Sequence, residues 1–141
     1  MGEPIENSPV APAGLRLGPP VLFVHDAESS SRFARDVLGL EIRHLDQDGA
    51  VLGVGEDIVL LVTVAAGERL FAGLIPSSGN PAHPPVVLNL FVSDVDAALD
   101  HARRHGAVVL SEPTDQPWGR RTAHVLDLDG YAWEFSRSLE P

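Results

Sequence analysis

The run Leu22-Phe23-Val24-His25-Asp26 returns as Leu90-Phe91-Val92-Ser93-Asp94, with Ala34 and Ala102 in step and Gly39 echoed by Gly106 one residue out. A repeat of this kind is an internal duplication, and it restricts the chain to a fold made from two copies of one unit. The question for the sequence is what that unit contains.

Pro20 to Val24 is a short apolar run rich in β-formers, a buried strand by length and content. Asp26 to Leu38 follows as a helix, capped by Asp26, with Phe33, Val37 and Leu38 at helical spacing and Gly39 as the stop. Three strands come next, Leu40 to Leu45, Ala50 to Val54 and Ile58 to Val64, parted by the turn signals 46–49 and 55–57. The second copy repeats the series: strand Val86 to Val92, helix Asp94 to His105, and strands Ala107 to Leu110, Arg121 to Leu126 and Tyr131 to Phe135. The fold class is α+β, two tandem βαβββ modules. The modules occupy 17–65 and 86–137, with a loose tail over 1–16 and a Gly/Pro/Ser-rich linker over 66–85, all within one compact domain. Leu70, Phe71, Leu74 and Ile75 make that linker apolar enough to pack on something, over a site or a partner subunit.

Composition removes several chemistries. All ten basic residues are arginine, so no lysine Schiff base or lysine base is available. Cysteine is absent, which excludes disulfides, thiolate nucleophiles and thiolate metal sites. A net charge of −10 argues against a nucleic-acid partner. The longest apolar stretch, Ile58 to Ala66, falls far short of the roughly 20 residues of a membrane span. The N-terminal segment has acids and prolines where a signal peptide has basic residues and an apolar run, so a cytoplasmic location is expected.

The densest chemistry lies between Gln116 and Phe135. Asp127 to Gly130 supply the acceptors and the positive-φ residue of a tight hairpin turn. Strand parity puts Trp133 and Phe135 on one sheet face and Glu134 on the other. With Leu128 and Asp129 as a two-residue loop, Ala123 lies opposite Glu134 and His124 opposite Trp133. A slip of one residue instead brings His124 beside Glu134. Both registers are open on the sequence alone.

Other motifs carry less. Gly53-Val54-Gly55 lacks the third glycine and following helix of a phosphate loop, and a hairpin turn explains it. Ser77-Ser78-Gly79 lacks a nucleophile elbow. His101 and His105 have metal-like spacing but alternate with Arg103 and Arg104 as a solvated helix face does. His83 lies between prolines in the linker, and His25 and His44 stand alone.

Two βαβββ units in this length resemble the vicinal oxygen chelate superfamily, which includes glyoxalase I, extradiol dioxygenases, fosfomycin-modifying enzymes and bleomycin-resistance proteins. The resemblance runs from Pro20 to Phe135. It rests on Ser31-Arg32-Phe33 through Val37-Leu38-Gly39-Leu40 and on Asp127-Leu128-Asp129-Gly130 through Trp133-Glu134-Phe135. Pro20-Val21-Leu22 before His25-Asp26, and the loop Gln116-Pro117-Trp118-Gly119-Arg120, are similar to segments of the bleomycin-resistance branch. The resemblance implies cupped mixed sheets, a homodimer with clefts between subunits, and sequestration of a small molecule, such as an antibiotic or another planar or cationic natural product, without turnover. By position it assigns ligand contact to Trp118 of the Trp118-Gly119 pair. For such a binder Phe91, Asn89 and Arg121 are candidate wall residues. Glu112, Asp115 and Glu134 would attract a cationic arm.

Metal-using members of that superfamily take His, Gln or Glu from the first and last strands of each module. Here Glu134 matches and the other positions do not. Any divalent metal would rest on Glu134, with His124 joining only in the slipped register, so no cofactor is expected. The alternative is a metal-dependent glyoxalase-like lyase or isomerase, or a dioxygenase.

Overall fold

The computed structural model describes residues 2, 4–6, 12–71 and 86–140. Leu74, Ile75, Ser77, Ser78, Gly79 and His83 lie outside the described residues.

Two four-stranded mixed sheets account for the architecture. In the first module, β1 (Val21–Val24) lies parallel to β4 (Asp57–Thr63), which pairs antiparallel with β3 (Gly49–Val54), which pairs with β2 (Glu41–Leu45). The second module repeats that order with β5 (Val87–Phe91), β8 (Ala132–Ser138), β7 (Arg120–Leu126) and β6 (Val108–Asp115). The parallel pair in each sheet needs a crossover, and a helix supplies it. These crossovers are α1 (Ala27–Phe33) and α3 (Val95–Arg104). Asp26 caps α1 by accepting from Ser29 N–H at 2.9 Å, and Asp94 caps α3 by accepting from Ala97 N–H at 3.0 Å.

Several elements depart from the sequence reading: β6 runs on to Asp115 rather than ending at Leu110, β8 runs on to Ser138 rather than Phe135, and a helix and a connection change character. The first helix does not run as one α-helix to Leu38. Its last stretch, Ala34–Leu38, widens into a π-turn before Gly39 closes it at φ 85°. The connection after β4 is not irregular from its start either. Thr63 Oγ1 accepts from Ala66 N–H at 3.1 Å and begins an α-helix, α2 (Val64–Phe71).

Each sheet turns one face to its helix. In the second module Ala123, Val125, Trp133 and Phe135 point that way and are buried against Val95, Leu99 and Ala102 of α3. A single core runs through both modules, joining Leu22, Val24, Leu52 and Leu61 to that set. At about 25 cal/mol per Å² this burial is the main favourable term of folding.

The β7–β8 turn also fastens the two modules together. The Asp129 carboxylate, 7% exposed, accepts from His25 N–H at 2.8 Å and Ser30 O–H at 2.5 Å. Tyr131 O–H donates to Phe23 O and accepts from Phe23 N–H, both at 3.0 Å. The sequence signal for a turn is thus also the junction between β1–α1 and the second sheet.

Candidate functional site

The register of β7 against β8 decides which side chains meet. Asp127 N–H donates to Tyr131 O at 2.9 Å, so the loop has three residues, Leu128, Asp129 and Gly130, with Gly130 at φ 90°. A three-residue hairpin loop ending in a left-handed glycine is a favoured form. Asp127 enforces it, because its carboxylate accepts from Asp129 N–H at 2.8 Å, Tyr131 N–H at 2.9 Å and Trp133 Nε1–H at 2.9 Å. Burial still pushes the Asp127 pKa up, against the pull of those donors. The two-residue loop is therefore not formed, and His124 pairs with Glu134 while Ala123 pairs with Phe135.

Around that pair the open face of the second sheet carries one continuous row, Asn89, Glu134, His124 and Ser111, taken from β5, β8, β7 and β6. His124 Nε2 lies 2.8 Å from Glu134 Oε1, and Ser111 Oγ lies 2.5 Å from His124 Nδ1. A carboxylate only accepts, so Nε2 carries the proton. Nδ1 is then free to accept from the Ser111 hydroxyl. The His124 and Glu134 side chains are 23% and 19% exposed, enough to reach a ligand lying on the sheet.

The next row along holds Phe91 and Ser136. Arg120 reaches into it. Its Nε–H donates to Ser136 Oγ at 2.7 Å and its guanidinium lies 4.6 Å from the Phe91 ring centroid. Phe91 is 79% exposed. Arg120 and Ser111 were missed in the sequence, and parity places Arg120 on the face of Glu134 only in the slipped register.

Trp118 crowns the β6–β7 hairpin. Gln116 N–H donates to Arg120 O at 2.7 Å, giving a three-residue loop, Pro117 to Gly119, with Gly119 at φ 86°. This is the geometry of the β7–β8 turn repeated at the other end of β7. The indole is 67% exposed.

Not every expected wall residue joins this face. Arg121 points to the helix side, where Nε and Nη2 grip Asp96 of α3 at 2.8 and 2.9 Å and Nη1 reaches Asp115 at 2.8 Å. The Arg121 guanidinium, bonded to Asp96, holds that carboxyl below its usual range. Glu112 is likewise paired with Arg103 of α3. Asp115 and Glu112 are thus already neutralised on the far side of the sheet from Glu134.

The edge strand β5 borders a cleft of about 860 Å³. Asn89, Phe91 and Val87 line one side; Leu17 to Pro20 and the β3–β4 hairpin line the other. This volume lies in the range of small-molecule sites, about 300–1,000 Å³.

A metal centre is poorly served by these residues. By the duplication, Val21 is the counterpart of Asn89, so the first module's equivalent row is Val21, Leu60, Val51 and His44. Its first-strand and last-strand positions are apolar where ligands would stand. Among the described residues no three of His, Asp and Glu gather to hold an ion. The slipped register does bring His124 to Glu134, but two donors fall short of the usual three or so protein ligands.

Comparison with known proteins agrees with the architecture. The chain is 28% identical over 121 residues to YraH of Bacillus subtilis, covering 84% of this chain and 94% of that protein. It is 40% identical to Mb0911c of Mycobacterium bovis over 55 residues, which cover 39% of this chain and only 36% of that relative's length. A solved glyoxalase/bleomycin resistance protein/dioxygenase from Nocardioides superposes with a TM-score of 0.75 at 24% identity, over 93% of this chain and 88% of its own, a likeness of fold. No helix among the described residues is long and apolar enough to cross a membrane. The profile of the Glyoxalase/Bleomycin resistance protein/Dioxygenase superfamily matches residues 16–135, and the chain belongs to that superfamily.

Proposed function

We propose that the protein is a small-molecule binding protein that holds a planar ligand against the open face of its second sheet without a metal ion. A natural product such as an antibiotic, in the manner of the bleomycin-resistance branch, is the ligand class this reading favours. The observation that carries it is the contrast between the two equivalent rows. The second module presents Asn89, Glu134, His124 and Ser111 next to the row that holds the exposed ring of Phe91, with the exposed indole of Trp118 on the β6–β7 hairpin, whereas the first presents Val21, Leu60, Val51 and His44. One row offers hydrogen bonds and a stacking surface; the other is apolar but for His44, which is paired with Asp46. A ligand between such surfaces gains both apolar burial and orientation.

The same exposed faces favour a homodimer. Phe91, Val87 and Val21 are large apolar side chains left uncovered on the two edge strands, and a second copy would cover them. The test is titration with planar aromatic compounds followed by tryptophan fluorescence, with the mass in solution measured by light scattering. Quenching by a dimer, lost in Trp118→Ala, supports the reading. Chelator-sensitive turnover would replace it with a metal-dependent lyase, isomerase or dioxygenase.

A further inference from the structure

Seven of the ten arginines stand within ion-pair distance of a carboxylate. Arg120 does not, among the described residues, although it is half-buried in a chain of net charge −10. It is nevertheless held in place. Ser136 Oγ takes its Nε–H at 2.7 Å and the Phe91 ring lies 4.6 Å from its guanidinium, which fixes the plane of the fork. Nη1 and Nη2 are left without a protein acceptor among the described residues. Two neighbouring acids are engaged elsewhere: Glu134 with His124, and Asp115 with Arg121.

A positioned, unpaired guanidinium matches the geometry of a planar carboxylate, which two parallel N–H groups can grip together. Phe91 both supports Arg120 and lines the 860 Å³ cleft. An aromatic body lodged against Phe91 would therefore bring a carboxylate substituent to Arg120. We propose that the ligand of this site is a planar aromatic carboxylate, with Arg120 as its anion contact and Phe91 as its stacking surface. This rests on the binding function proposed above and reverses the cationic preference that Glu112, Asp115 and Glu134 suggested in the sequence.

Three isosteric probes test it on the full-length protein by calorimetry: 2-naphthoate, 2-naphthalenemethanol and 2-naphthylmethylammonium. The proposal expects naphthoate to bind about tenfold or more tighter than the other two, the size of one charge-assisted hydrogen bond. It expects that preference to vanish in Arg120→Gln, which should bind naphthoate and the alcohol alike, with the circular dichroism of the folded chain retained. Arg120→Lys, which keeps the charge and loses the fork, should retain only part of it. Equal binding of all three, tightest binding of the ammonium, or a preference that survives Arg120→Gln overturns the proposal and leaves the binding function standing. No binding of any probe overturns both.

Discussion

His124 Nε2 lies 2.8 Å from Glu134 Oε1, across a strand pair whose register is set by the turn between them. The three-residue loop that makes this contact depends on Gly130 at φ 90°, a conformation that costs a side chain about 1 kcal/mol or more. Gly130→Ala should therefore lower unfolding stability by about that amount, read from the urea midpoint at unchanged slope. A variant as stable as the parent would mean that the turn does not hold the register.

The junction between modules gives a larger effect. Asp129 joins His25 N–H and Ser30 O–H to the second sheet, and hydrogen bonds to a charged group contribute roughly 1.5–3 kcal/mol each. Asp129→Ala should cost about 2–4 kcal/mol, allowing for non-additivity. Thermal unfolding checks it, and a loss below about 1 kcal/mol would show that the apolar core alone fastens the modules.

The duplication, the order of elements and the two faces of β8 were all legible in the sequence, because periodicity and turn residues report them directly. What was not legible follows from one residue of register. A two-residue loop would have put Arg121 on the face of Glu134 and sent His124 to the core side. The three-residue loop exchanges them, so His124 joins Glu134 and Arg121 joins Asp96 of α3. The cause is the three donors converging on the Asp127 carboxylate, among them the Trp133 indole, a contact that no local pattern announces. The start of α2 was hidden for a similar reason, since its cap is the last residue of a strand, Thr63.

Placement of Arg121 yields a separate expectation. Because it faces α3, Arg121→Gln should lower stability while changing ligand affinity by less than about twofold. A fall in affinity comparable with that of Arg120→Gln would contradict the assignment of the two arginines to opposite faces.

Stability at high pH follows from Tyr131. Burial raises its pKa above the ordinary 10.0, so its folded state holds the phenolic proton more tightly than the unfolded chain does. That stabilisation is fully present below pH 10.0 and is lost as pH rises through the folded value. Tyr131→Phe should be less stable than the parent at neutral pH, by about 1 kcal/mol for the lost hydrogen bonds, and should show a shallower decline above pH 10.0. Parallel alkaline profiles for the two proteins would rule Tyr131 out as the cause.

The central claim is that the open face of the second sheet binds a planar ligand without a metal ion. Its most direct test is calorimetric titration of the purified protein with 2-naphthoate before and after exhaustive chelation, with elemental analysis of the same samples and with Trp118→Ala in parallel. The account predicts binding unchanged by chelation and weakened about tenfold by the substitution, as loss of a stacking ring with its buried area would produce. About one divalent ion per chain, with binding lost on its removal, would contradict it and make Glu134 and His124 the first ligands to substitute.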